Sequence, residues 1–178
     1  MRILKSAAAL FAVVLAIGLA GVASATSTAD VPGLAITQVG YNAYGADTRW
    51  NRNQEFVDVK NTSAAPVNVK GLLVEDQWAK SHRDDNDRKC NTFTVSSLPG
   101  VETGADGSVM LPAGATVRAY SGWGRPAASG SVHAVYMNSR CGYNGHIWGN
   151  GGDTAWITLG SVSESFAYDF DNGYTVKP

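Results

Sequence analysis

Helical periodicity is what this sequence most lacks. From Thr26 onward no segment repeats apolar residues at helical spacing over three turns, which argues against a helical body. Charge is also scarce, at 16 % of residues with a formal net charge of −1. No basic stripe stands out, so strong nucleic-acid binding is not expected. There is no Gly-x-Ser-x-Gly elbow and no His-Glu-x-x-His pair. The three histidines, His82, His133 and His146, are scattered without ligand-like spacing, so no metal site and no cofactor are expected. His82-Arg83-Asp84 matches a kinase catalytic-loop tripeptide, but no glycine-rich phosphate loop accompanies it. No paired catalytic groups emerge, and the expectation is a protein that is not an enzyme.

Long apolar runs are confined to the start of the chain. Arg2 and Lys5 precede an apolar stretch from Ala7 to Val22, and Ala23-Ser24-Ala25 supplies the small-residue cleavage pattern. Residues 1–25 therefore read as a signal peptide cleaved after Ala25, which predicts a secreted, extracellular product. The rival reading is an uncleaved anchor, but the run is short for a spanning helix of about 20 residues. No later run could span a membrane. Residues 26–32 read as a flexible polar segment and 33–178 as one domain. Losing Arg2 and Lys5 makes the mature chain more acidic.

Cysteine occurs twice, at Cys90 and Cys141. In an exported chain the pair reads as a disulfide, worth up to about 4 kcal/mol for a loop of that length. A redox role would want the two closer together, as in Cys-x-x-Cys.

What the sequence does have is alternation. Glu55-Phe56-Val57-Asp58-Val59-Lys60 turns Val57 and Val59 one way and Asp58 and Lys60 the other. A turn-forming run, 61–66, follows, and Val67 and Val69 alternate with Asn68 and Lys70. The parity slips at Gly71, after which Leu72 and Val74 are the apolar pair, which predicts a bulge. Gln54 to Asp76 thus reads as a β-hairpin. Further strands are predicted over Gly33–Val39 (with Leu34, Ile36 and Gln38 on one side), Thr92–Val95, Val109–Leu111, Ala115–Tyr120, Val132–Met137, Thr154–Leu159 and Ser165–Phe170. Asp171-Asn172-Gly173 reads as a hairpin turn into Tyr174–Val176. The polar stretches 77–91, 96–108, 121–130 and 138–153 read as loops. If the strands near Phe93 and Val135 run antiparallel, Cys90 and Cys141 meet at one rim. Short strands separated by turn signals predict an all-β sandwich of two antiparallel sheets.

Four pieces in order carry a resemblance. Glu55 to Ser63 with Val67 to Leu72, then Leu111-Pro112-Ala113-Gly114-Ala115-Thr116-Val117, then Asn150-Gly151-Gly152-Asp153-Thr154-Ala155, and then Gly160 to Tyr168. Together they resemble the lamin tail domain, in the form found in secreted bacterial proteins. Leu72 stands where an aromatic often follows the bulge glycine, and the two cysteine-bearing excursions are longer than a minimal domain needs. The resemblance implies an immunoglobulin-like β-sandwich and a binding or tethering role at the cell surface, with a protein or polysaccharide partner.

Candidate contact residues are aromatics in or beside loops and the arginines near them: Trp78, Arg118, Tyr120, Trp123, Arg125 and Trp148. Exposed, they would suit a sugar ring or a partner protein, which makes a carbohydrate-binding protein the alternative. Buried, they would cap the ends of the sandwich. Trp156 either packs on the second face or lies exposed. The acidic run Asp84-Asp85-Asn86-Asp87 offers oxygens for calcium but fails the EF-hand order. Asn61-Thr62-Ser63 is a glycosylation sequon that matters only in a eukaryotic source.

Overall fold

The computed structural model describes residues 31–82, 91–139, 144–169 and 174–178. The described chain is predominantly β. Its strands, numbered in chain order, are β1 (Leu34–Gly40), β2 (Phe56–Asn61), β3 (Val67–Asn68), β4 (Leu73–Glu75), β5 (Thr92–Thr94) and β6 (Met110–Leu111). They continue with β7 (Thr116–Tyr120), β8 (Ala127–Ser129), β9 (Val132–Tyr136), β10 (Gly152–Leu159), β11 (Val162–Asp169) and β12 (Thr175–Val176). A six-stranded sheet runs β12-β1-β2-β7-β9-β8, a four-stranded sheet β11-β10-β4-β5, and β3 pairs with β6.

One core joins these sheets. Val57, Val59, Val117, Ala119 and Val135 come from the six-stranded sheet, and Val74, Ala155 and Ile157 from the four-stranded one. The alternation seen in the sequence is the alternation of burial, most plainly on β7, where Val117 and Ala119 are buried and their neighbours are not. Val31, expected in the flexible segment, is fully buried in the same core. Residues 1–30 lie outside the described residues, as do Cys90, Cys141 and the acidic run at Asp84–Asp87. Among the described residues no helix is long and apolar enough to cross a membrane.

Several expectations are corrected. Gln54 to Asp76 is not a hairpin: β2 pairs with β1 and β7, whereas β3 pairs with β6 and β4 pairs with β10 and β5. Alternation fixes which face of a strand is buried but not which neighbour it takes. Both runs bury their apolar face in one core, so a crossing between sheets produces the same pattern as a reversal within one. Gly71 does mark the break, with φ of 81°, a left-handed conformation that favours glycine. The end of the chain repeats the lesson: β11 pairs with β10, and β12 crosses to the edge of β1. The turn 171–173 itself lies outside the described residues.

The six-stranded sheet is mixed, not purely antiparallel. β7 and β9 run parallel, because the chain leaves β7, descends as β8 two places away, and returns as β9 between them. β8 falls inside the stretch expected to be loop. The strands near Phe93 and Val135 belong to different sheets and do not pair. On β1 the register shifts between Ile36 and Gln38, so Val39 and not Gln38 joins the buried side. The polar stretch after β4 begins with a short helix, α1 (Gln77–Ser81), N-capped by the Asp76 carboxylate accepting from Ala79 N.

Asn61 closes the far end of β2. It is fully buried, and its Nδ2 donates to the carbonyls of Ala65, Leu111 and Pro112 while Oδ1 accepts from Ser63 N and Oγ. A side chain this occupied cannot carry a glycan in the folded protein, which removes the sequon from consideration. Asn61→Ala would strand the buried Leu111 carbonyl and release both turns, and we expect it to lower the unfolding free energy by about 3 kcal/mol in urea melts at unchanged m-value.

Candidate functional site

At the opposite end of β2 the inward parity places a carboxylate. Glu55 follows the same face as Val57 and Val59 and is fully buried. Its Oε2 accepts from Ser121 Oγ at 3.1 Å, from Ile147 N at 2.9 Å and from Trp148 N at 3.4 Å. Its Oε1 faces His146 Nδ1 at 2.6 Å. The other ring nitrogen of His146 donates to the carbonyl of Thr48 at 3.0 Å. Asp47 Oδ1 lies 3.9 Å from His146 Nδ1, and Asp47 Oδ2 accepts from Asn150 Nδ2. One buried carboxylate therefore ties together three rim loops, 41–55, 121–126 and 144–151.

Both ring nitrogens of His146 face oxygen acceptors. Burial disfavours its charged form, but the hydrogen bond to Glu55, the charge of that carboxylate, the Thr48 carbonyl and Asp47 outweigh it, and its pKa is raised above 6.5. Glu55 is also raised, above 4.5, because the loss of solvent outweighs its hydrogen bonds to His146, Ile147 and Trp148. The two face each other as a buried carboxylate–imidazole pair.

Above this anchor the rim carries an open groove of about 620 Å³ lined by Arg52, Trp123, Gly124, Pro126, Tyr136 and Asn138. The loop from Ser121 to Pro126 crosses over the end of β9, and a side chain at Gly124 would overlap the Tyr136 ring, so only glycine lets the backbone pass so close. Asn53 Nδ2 holds the Trp123 carbonyl, and Arg52 donates to the Ser139 carbonyl. Tyr136 continues a cross-strand row on the outer face of the sheet: Phe56, Tyr120 and Tyr136 are in register, with Tyr120 and Tyr136 stacked at 5.3 Å.

The sequence-predicted contact residues divide. Trp123 is 58 % exposed beside the groove, and Tyr120 belongs to the row leading into it. Arg125 is exposed in the same loop. Arg118 is not a free fork: Asp58 takes it bidentately at 2.7 and 2.6 Å, and its guanidinium lies 4.0 Å over the Phe56 ring. That partnership raises its pKa further. Trp78 stands apart on α1, stacked on His82. Trp148 is corrected outright. It is 2 % exposed and belongs to the core, because Glu55 draws the backbone of Ile147 and Trp148 inward. Trp156 is half-buried, donating to Gln77 Oε1 beneath the Lys80 ammonium. His133 is buried and donates from Nδ1 to the Pro99 carbonyl.

A second polar cluster flanks the first. Asp153, from the resemblance motif, accepts from Gly149 N, Thr154 N and Gln77 N, coupling the loop, β10 and α1. Asp76 accepts from Ala79 N and Asn91 Nδ2, and burial pushes it up to about 6 despite those bonds.

The sequence reading missed Asp47, Glu55 and His146 as a group. Glu55 and His146 are 91 residues apart in the chain, so no local spacing links them. The available signal was parity, since Glu55 shares the inward register of Val57 and Val59. No family model matches this chain, and neither the curated proteins nor the solved structures hold a match.

Two outcomes follow for stability, both measured with chelator present. A group whose folded pKa is raised adds stability below its unfolded value and loses it as pH climbs through the folded one. Wild-type stability should therefore fall as pH rises from 6.5 through the raised pKa of His146. His146→Gln should cost about 3 kcal/mol at pH 7 by leaving Glu55 unpaired. Urea melts across pH should find that deficit narrowing in acid, where Glu55 protonates, and in alkali, where wild-type His146 loses its charge. Asp76 has the same sign of shift, so its contribution is lost as pH rises from 3.8 towards 6. Asp76→Asn keeps the N-cap and lets Asn91, whose Oδ1 has no partner, turn its amide to accept from the new donor. It should raise the urea midpoint at pH 7 and leave it unraised below pH 4.

Proposed function

We propose that this chain is a non-catalytic interaction module of lamin-tail type, an immunoglobulin-like sandwich exported from the cell, and that it meets its partner at the Trp123 rim. The resemblance in four ordered sequence pieces supports the family, and the predominantly β body with a shared core is compatible with it. The observation that carries the contact surface is the juxtaposition of a largely exposed Trp123 with an open groove whose floor and walls are Tyr136, Pro126, Arg52 and Asn138. Exposed tryptophan beside arginine is the composition that dominates binding energy at interfaces. The export reading rests on the charged start, apolar run and Ala23-Ser24-Ala25 of the sequence.

A polysaccharide is the second reading of the partner, and the groove favours it specifically. Sugar rings present a flat apolar face with hydroxyls around the edge. Trp123 offers a ring face, Tyr136 lines the groove beside it, and Arg52 and Asn138 offer polar groups at the margin.

Sedimentation of the protein with insoluble wall polysaccharide, beside capture by intact surface protein, separates the two partners. Trp123→Ala should weaken whichever interaction exists at least about tenfold, equivalent to about 1.4 kcal/mol. Arg125→Ala, outside the groove lining, should weaken it less. Undiminished binding by Trp123→Ala would overturn the assignment of this rim.

A further inference from the structure

We propose that Asp47, Glu55 and His146 form a binding site for a divalent first-row transition ion of the zinc or manganese kind. Their three candidate ligand atoms all lie within 4.8 Å of one another. What distinguishes the group from an ordinary ion pair is how each residue divides its atoms. Glu55 Oε2 is occupied by the Ser121 hydroxyl and two backbone amides, leaving Oε1 for the shared point. Asp47 Oδ2 is held by the Asn150 amide, while Asp47 Oδ1 is buried and has no hydrogen-bond partner. His146 commits Nε2–H to the Thr48 carbonyl, leaving Nδ1 at the same point. An imidazole that donates its far N–H to a backbone carbonyl, and carboxylates whose far oxygens are hydrogen-bonded, are the outer partners that orient metal ligands.

The separations suit a small ion. Nδ1 lies 2.6 Å from Glu55 Oε1 and 3.9 Å from Asp47 Oδ1. Ligands held at about 2.0–2.2 Å in a tetrahedral arrangement stand roughly 3.4 Å apart. Widening the first gap by about 0.8 Å and closing the second by about 0.5 Å would admit the ion. Entry releases to solvent the proton held between His146 Nδ1 and Glu55 Oε1, and the ion takes its place. Two carboxylates and a neutral imidazole then balance a divalent charge. One nitrogen with two oxygens suits zinc and manganese better than calcium, which wants six to eight oxygens. The Asp47 side chain is partly exposed, so the group borders solvent.

Because the same residues hold the rim loops, a bound ion would stiffen the frame on which Trp123 is mounted. The ion site does not depend on that groove binding anything.

The test is titration of the chelator-stripped, oxidised full chain with Co2+, read by visible absorption, and with Zn2+, read by calorimetry. We expect one equivalent of each, with the intense d–d bands of a low-coordinate Co2+. Asp47→Ala keeps the Glu55–His146 pair and so should fold, yet it should weaken binding at least tenfold; His146→Gln should do the same. Zn2+ should raise the melting temperature of the wild type and not of Asp47→Ala. The proposal is overturned if the wild type takes up neither ion at micromolar concentration. It is equally overturned if Asp47→Ala binds as the wild type does, which would assign the ion to another group such as the Asp84–Asp87 run.

Discussion

The buried carboxylate of Glu55 is the constraint on which one whole rim depends. A carboxylate taken from water costs several kcal/mol unless it is paired and hydrogen-bonded. Glu55 meets that cost with a hydroxyl, two backbone amides and an imidazole, and these come from segments far apart in the chain. Tyr41, Ile147 and Trp148 anchor two of these loops in the core. Elsewhere the loops are rich in glycine and asparagine, and the donors to Glu55 fix the path they take.

β2 repeats the device at its other end. Its inward row reads Glu55, Val57, Val59, Asn61: two apolar residues in the core between two polar ones, each buried completely. Asn61 gathers the turn after β2 and the Leu111–Pro112 turn as Glu55 gathers the rim loops. The sheets supply the core, and the two polar residues fasten the connections at either end of it. The two ends differ in what they carry. On the Glu55 side the fastened loops bring Trp123 and Tyr136 into one groove, and the outer row Phe56, Tyr120 and Tyr136 runs up to it. Arg118, pinned by Asp58 and packed over Phe56, holds that row in place and is not itself offered to a ligand.

Much of the strand content was legible in the sequence because burial alternates with a period of two, and β2, β7 and β9 fall close to their expected positions. Pairing was not legible. Gln54–Asp76 and the chain end both read as hairpins, yet each crosses between sheets, since alternation carries no information about the neighbour. β8 was invisible because Ala127, Ala128 and Ser129 form an exposed edge with no buried face to betray it. Trp123 could be picked out by its place in a glycine-containing loop, but so could Trp148, and only the anchoring of its backbone by Glu55 sends that ring inward. The group around Glu55 was missed: its shared parity with Val57 and Val59 was the one signal of a buried carboxylate, and nothing local named its partners.

Glu55 fastens the rim as one unit, and amide hydrogen exchange on Glu55→Gln tests this most directly. We predict that protection falls together at Ser121, Ser139, Ile147 and Trp148 while the β10–β11 pair keeps its protection. Unchanged protection at those loop amides would mean the rim is held by something else.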